Sequence, residues 1–511
     1  MQILQNQHFE PKNEKSSLKK PMRKIIEKQL KFGQVDISSI ELDLRSRDEI
    51  PQLLAGLKAI YANRKTRNKV FAILEDIIPD NTDAGNGRPG MDLWSILVLG
   101  TLRLNCNWDY DKVLEIANNH KTVRDFLGHT IYEFDQRYAL QTLKDNVSLL
   151  TPQHLEQINQ VVVEAGHKLL GYDGRSLKGR CDSFVLETNV HYPTDINLLW
   201  DAIRKIVTLT AAEFDTQGIT EWRQSRYILR KIKKLFTRAR RLKRSNSKKE
   251  ERKAEKQQQI IQAHQQYVDL AQLYIERARF DIGFLKQSGI SNLAQVMVIE
   301  HFIMHAERQI DQILRRVVNG EKIAHSEKVF SLFEEHTEWI SKGKAGVPQE
   351  LGLKVCILED QYGFILHHHV MEHQTDDQIA VSMVADAKQK HGGLTSCSFD
   401  KGFHSPKNQE DLKPLLDQVV LPRKGRLSKK AREIEYSEDF IQARHKHSAV
   451  ESAINALENH GLDRCRDNGL KGFKRYIALA VLSRNLQIIG ANLQKRALKK
   501  LQRRKTFQLA A

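Results

Sequence analysis

Cys181-Asp182-Ser183-Phe184-Val185-Leu186-Glu187-Thr188-Asn189-Val190 is the stretch on which the reading of this chain turns. Phe184, Val185 and Leu186 put apolar side chains on both faces of an extended segment, the pattern of a central strand. Gly171-Tyr172-Asp173-Gly174 breaks the preceding helical pattern, and His191-Tyr192-Pro193-Thr194-Asp195 ends the strand, with Asp195 reading as a helix N-cap. Asp182 falls near the strand's start, with Phe184 and Leu186 as its period-two companions. A carboxylate on a buried strand needs a partner or a metal ion.

Working outward, residues 1–45 form a basic polar arm (Lys12, Lys15, Lys19, Lys20, Arg23, Lys24), and 46–170 are helical. Met91–Leu102 is apolar on most sides, as a buried helix would be. Several short helices in a basic protein suit either a helix-turn-helix-like DNA reader or a plain bundle. After the first strand (171–195), a Lys-, Arg- and Gln-rich helical stretch covers 196–325. Its Arg230, Lys233, Lys234, Arg238, Arg241, Lys243 and Arg244 read either as a solvated helix face or as contacts to a DNA backbone.

Strand character returns at Leu353–Asp360 and, after the turn Gln361-Tyr362-Gly363, at Phe364–Met371. Thr375-Asp376-Asp377-Gln378 has capping-box form and opens a helix to about Lys390. A strand Leu394–Phe399, a helix Pro406–Leu416, a strand Gln418–Leu421 and a long helix Phe440–His460 complete 326–490, before a basic tail at 491–511. That order predicts a mixed sheet flanked by helices, an α/β architecture with a long helical segment between its first strand and the following hairpin.

The 81 Lys and Arg against 63 Asp and Glu leave a net charge of +18, which favours a polyanionic partner. A ribosomal partner or an anionic membrane surface would satisfy charge alone. No run of about 18 apolar residues predicts a membrane span. The opening Met1-Gln2-Ile3-Leu4-Gln5-Asn6 lacks the basic and apolar regions of a secretory signal. Cys106, Cys181, Cys356, Cys397 and Cys465 are scattered without a CxxC, as expected of reduced thiols in a cytoplasmic protein.

Three acids sit where separate elements can bring carboxylates together, as two-metal phosphodiester chemistry requires. They are Asp182, Asp400 directly after the strand Leu394–Phe399, and Glu451 on the Phe440–His460 helix. Strand carboxyl ends are common places for sites in α/β sheets. Glu451 falls at the edge of the stripe Val450, Ala453, Ile454 and Leu457, with Arg444 on its flank; an ordinary amphipathic helix is the simpler reading of that spacing alone. Asp376 and Asp377 suit the first turn of a helix, Asp463 and Asp467 read as surface ion pairs, and His367-His368-His369 on a strand as structural.

Three blocks, in this order, resemble bacterial insertion-sequence DDE transposases, most closely the ISNCY family: Asp182–Asp195, Phe399-Asp400-Lys401-Gly402-Phe403-His404-Ser405, and Arg444–Asn455 around Glu451. The segment Phe333–Lys344 is also similar to that family. The resemblance, over about residues 88–490, implies an RNase H-like catalytic core with Asp182, Asp400 and Glu451 as metal ligands for two Mg²⁺ ions, for which Mn²⁺ may substitute. It further implies a helical N-terminal region that binds transposon ends, hydrolysis of phosphodiester bonds at terminal inverted repeats, strand transfer into target DNA, and a dimer or larger assembly on double-stranded DNA in the nucleoid. Arg444 matches a phosphate-positioning position of related enzymes. Glu458 stands where related families often carry a Lys. Many relatives place their large insertion later, between the second aspartate and the glutamate. The rival expectations are an RNase H-like nuclease without strand transfer and an inactive or domesticated DNA-binding protein.

Overall fold

The computed structural model describes residues 24–26, 30–43, 45–78, 90–133, 135–287, 293–341 and 349–510. Lys12, Lys15, Lys19, Lys20 and Arg23 of the basic arm lie outside them. Helices come first: α1 (Glu49–Ala62), α2 (Arg64–Glu75), α3 (Leu93–Asn105), α4 (Tyr110–Asn119), α5 (Lys121–Phe126), α6 (Leu140–Val147) and α7 (Pro152–Leu170). Then β1 (Leu177–Thr188) is followed by α8 (Asp195–Thr216), α9 (Ser225–Arg241), α10 (Glu250–Gln287) and α11 (Leu293–Ile313). The remainder runs β2 (Glu338–Ser341), β3 (Gln349–Glu359), β4 (Ile365–Met371), α12 (Asp376–Lys390), β5 (Leu394–Phe399), α13 (Pro406–Asp411), β6 (Gln418–Val420), α14 (Lys429–Glu435), α15 (Glu438–His447), α16 (Ala449–Leu457), β7 (Arg464–Cys465) and α17 (Gly469–Ala510).

The result is a mixed α/β chain around a sheet of seven strands, ordered β2-β3-β1-β5-β6, with β4 paired to β3 and β7 to β1. β1 and β5 are parallel, with Leu177 opposite Leu394 and Cys181 opposite Phe399; β5 and β6 are also parallel. β3 and β4 form the antiparallel hairpin expected around Gln361-Tyr362-Gly363. Leu186 lies against Gly352 and Gly179 against Leu358, so β1 and β3 run antiparallel. β1 is thus central, as its two-faced apolar run predicts.

The chain divides into two compact units, Met1–Phe184 with Lys354–Asp467 and Lys471–Ala511, and Val185–Leu353 with Asn468–Leu470. In the first, α3 is buried on every side, Arg103 included. Arg103 pairs with Asp467 at 2.7 Å, and Arg475 donates to the same carboxylate at 3.2 Å, so Asp467 is a buried counter-ion and not the surface partner its polar neighbours predict. Gly56 on α1 and Gly490 on α17 let two helix backbones touch: a Cβ on Gly56 would fall onto the Leu486 carbonyl oxygen, and one on Gly490 onto that of Gln52. Asn485 on α17 accepts from the Ile365 amide at 2.9 Å, while Asn159 on α7 donates to the Ile365 carbonyl at 3.1 Å. Two amide side chains thereby satisfy backbone groups at the start of β4.

In the second unit, α8, α9, α10 and α11 bury one core that includes Ile203, Trp222, Phe236, Tyr267, Ile275, Ile299 and Phe302. Trp222 donates its indole N–H to Asp281 at 2.9 Å, the partner a buried Trp needs.

Several boundaries differ from expectation. β1 begins at Leu177, ahead of Asp182, because pairing with β5 extends it backwards past the apolar run. The N-cap of α8 is Thr194, whose hydroxyl accepts from the Asn197 amide; Asp195 is the first helical residue. The Pro406–Leu416 helix stops at Asp411. Phe440–His460 is two helices, α15 and α16, meeting at Ser448, followed by an irregular turn in which Gly461 takes φ +93°. β2 arises where no strand is expected, by pairing Glu338–Ser341 with Gln349–Gly352 of β3. Of the basic ends, the Lys24 and Ile25 carbonyls accept from Leu93 and Trp94, and Arg496 caps the α7 C-terminus at the Leu169 and Leu170 carbonyls. Among the described residues no helix is long and apolar enough to cross a membrane.

Candidate active site

The parallel register decides where the first two acids go. Cys181 faces Phe399 across β1 and β5, so Asp182 and Asp400, each one residue on, follow side by side at the same level of neighbouring strands. Adjacent strands lie about 4.8 Å apart, which brings two carboxylates to one place by backbone geometry alone. Asp400 then leaves the sheet, capping a short turn over Lys401–Phe403 with its side chain accepting from Gly402 at 3.4 Å.

Two further carboxylates join them. Glu451 stands in the first turn of α16, and Asp376 is the first residue of α12, behind its Thr375–Gln378 capping box. Asp376 accepts from Ser183 Oγ at 2.7 Å and pairs with Lys354 Nζ at 3.0 Å. Asp182 and Asp376 are half-buried, whereas Asp400 and Glu451 are exposed.

The electrostatics follow from that crowding. The Asp182 carboxyl is pushed up to about 6, first by burial, and then by the charges of Asp400, Asp376 and Glu451; the Ser183 amide, donating at 2.7 Å, opposes the shift. Like charges raise each other's proton affinity in this way. The carboxylates are not drawn tightly together: among the described residues, the three donors found within 4.8 Å of one another are His301, His305 and Glu335, elsewhere in the fold.

His447 on α15 bonds through Nδ1 to Ser398 Oγ on β5 at 3.0 Å. Burial lowers its imidazole's proton affinity, while Asp400 and Glu451 pull the other way. Arg180 is committed elsewhere, to Glu359 at 2.9 Å and to the Asp360 carbonyl at 2.6 Å.

Sequence reasoning thus names Asp182, Asp400 and Glu451, and the fold brings all three into one electrostatic neighbourhood. Arg444 lies exposed on α15, one turn before His447. Asp376, Lys354 and His447 were not singled out. Asp376 reads in sequence as an ordinary first-turn acid, and only the register of β1 and the start of α12 bring it to Ser183. His367, His368 and His369 each have a separate partner, namely Lys390, Glu156 and Gln374.

The basic residues named in the sequence lie in the second unit. α9 buries Ile228, Ile232, Phe236 and Ala239 on one face. Its opposite side carries Arg230, Lys233, Lys234, Arg238 and Arg241, all exposed, lining an open groove of about 550 Å³ with Thr237 and Leu242. Lys243 and Arg244 continue past the helix end and are also exposed.

No protein-family model, no curated protein and no solved structure matches this chain.

Proposed function

We propose that the chain is a DDE-type DNA transposase, an endonuclease and strand-transfer enzyme acting on double-stranded DNA, built on an RNase H-like core. The observation that carries this reading is the meeting of Asp182, Asp400 and Glu451 from three separate elements, with Asp182 raised by burial and by its neighbours' charges. A central strand with an antiparallel hairpin on one side and parallel strands on the other suits such a core. On this reading α8–α11 form the insertion between the core's first strand and its hairpin.

The donor set fits Mg²⁺: all three groups offer carboxylate oxygen, the ligand that hard cations take, and the charges of Asp400, Asp376 and Glu451 all act against ionising Asp182, an effect that a cation between them would relieve. Asp182, Asp400 and Glu451 would hold two such ions, or Mn²⁺ in their place. The ions would supply charge neutralisation at the scissile phosphate and a nucleophile at neutral pH.

The chain's own residues do the rest. Asp182, central and half-buried, offers two oxygens between the flanking acids. Lys354 neutralises Asp376, whose other oxygen fixes Ser183 beside Asp182. Burial favours the uncharged form of His447, while Asp400 and Glu451 beside it favour the charged one. Arg444, exposed on the neighbouring helix, is suited to bidentate contact with a phosphate. The α9 stripe would track the DNA backbone without reading sequence. Two transposon ends must be brought together, which calls for a dimer or larger assembly.

The test is incubation of the purified chain with DNA carrying the inverted repeats that flank its own gene, with Mg²⁺ or with EDTA, beside Asp400→Asn. Metal-dependent cleavage at the repeat tips and joining to a target, both lost in the variant while end binding persists, support the reading. Cleavage without joining identifies a nuclease, and binding without breakage an inactive or domesticated DNA-binding protein. Equal loss of binding and cleavage in the variant would overturn the role of Asp400.

A further inference from the structure

We infer that the helical unit contains a zinc site, formed by His301, His305 and Glu335 and separate from the carboxylate cluster. His301 and His305 are four residues apart on α11, so both rings project from the same face of the helix. Their ring centroids are 4.6 Å apart. Glu335 comes from the segment leading into β2 and hydrogen-bonds to His301 Nε2 at 2.8 Å. One donor atom from each of the three residues lies within 4.8 Å of the others.

The state of His305 points to a ligand beyond that ion pair. The residue is 5% exposed, yet its Nδ1 has no hydrogen-bond partner. Buried polar atoms are nearly always satisfied, and a place for a bound ion is one of the recognised reasons for an exception.

The chemistry selects the ion. Two imidazoles and one carboxylate suit Zn²⁺, whereas Mg²⁺ and Ca²⁺ prefer oxygen throughout. Zinc bonds of about 2.0–2.1 Å in a tetrahedron put ligand atoms about 3.3 Å apart, so the three donors must close inward. The two outer arms are free to do so: the side chains of His301 and Glu335 are 39% and 59% exposed, while His305 is anchored. The base of the Glu335 arm is also fixed, because Ser331 Oγ accepts from the Glu334 amide at 3.0 Å and Thr337 Oγ1 donates to the Glu334 carbonyl at 2.7 Å. A bound ion would join α11 to the segment entering β2 and leave a fourth position open to water or to a donor from a partner.

The experiment uses the full, untagged chain, stripped with chelator and titrated with Zn²⁺ against a chromophoric competitor in excess Mg²⁺, which keeps the oxygen-rich cluster occupied. Co²⁺ serves as the spectroscopic stand-in, and melting is followed in parallel. The expected result is one zinc per chain, a tetrahedral Co²⁺ absorption band and a zinc-dependent rise in melting temperature. In His301→Ala, at a half-buried position, and Glu335→Gln, at an exposed one, the affinity should fall by more than the roughly 10–100-fold lost when only an outer partner of a ligand is removed. Zinc bound equally by wild type and both variants would place the metal on other groups, such as the free thiols, and overturn the proposal. So would a chain that retains no zinc.

Discussion

Replacing Asp182 by Asn removes a charge from a place that disfavours it, while keeping an oxygen to accept from the Ser183 amide. The folded-state value of about 6 stands against an ordinary 3.8. At ~1.36 kcal/mol per pKa unit, that gap corresponds to a penalty of about 3 kcal/mol when the group is ionised, an upper bound for a half-buried carboxyl. The sign follows from proton binding. Between the two values the folded chain holds more protons than the unfolded one, so stability falls as pH rises through that window, and above it the whole penalty is present. Metal-free Asp182→Asn should therefore melt higher than wild type at about pH 8, by on the order of 5 °C, and the gap should shrink towards zero near about pH 4. Mg²⁺ should stabilise wild type and leave the variant almost unmoved, narrowing or reversing the order. Paired thermal melts across pH, in EDTA and then in Mg²⁺, measure this. A gap of equal size at both ends of the pH range, or a variant less stable than wild type at high pH in EDTA, would refute the account of Asp182.

Removing the charges of Arg230, Lys233, Lys234, Arg238 and Arg241 together should flatten the salt dependence of DNA binding by about 0.9 in log–log slope per lost phosphate contact, as read from binding titrations at several salt concentrations. Arg103→Met strands the Asp467 carboxylate in the core with only Arg475 as partner. A loss of about 3–5 kcal/mol is expected in chemical denaturation. Gly56→Ala should cost about 1–3 kcal/mol in the same assay through the collision with Leu486, instead of the ~1 kcal/mol gain that helix propensity alone promises.

Much of the sheet was legible because it rests on short-range patterns. Leu394–Phe399 forms β5 with the expected bounds, and the Gln361-Tyr362-Gly363 turn pairs β3 with β4. What sequence could not supply was long-range pairing. β2 exists because Glu338–Ser341 finds a partner strand, and β1 starts early because β5 lies beside it. The site shows the same division. Asp182 and Asp400 stood out as acids next to apolar strand residues, but Asp376 looked like any N-terminal helix acid until the register brought it to Ser183. Asp467 reads as a surface residue because its flanking arginines suggest solvent, whereas its partner in the core, Arg103, is more than 350 residues away in the chain. Ser448, which divides the expected Phe440–His460 helix, has helix-like dihedrals and leaves no mark in the apolar periodicity.

The glycine crossing of α1 and α17 also sets a clock. Gly56 meets Leu486 only after a further 430 residues have been added (486 − 56). At roughly 5–20 residues per second, a ribosome takes about 20–90 s to add them. For that interval the first helix of a nascent chain lacks the surface it is shaped to meet. Until then α1 has only its neighbours in sequence, among them α2 and α3, to pack against. A destabilised glycine crossing should therefore show up first as poor yield of folded protein, before any loss of activity in the molecules that do fold.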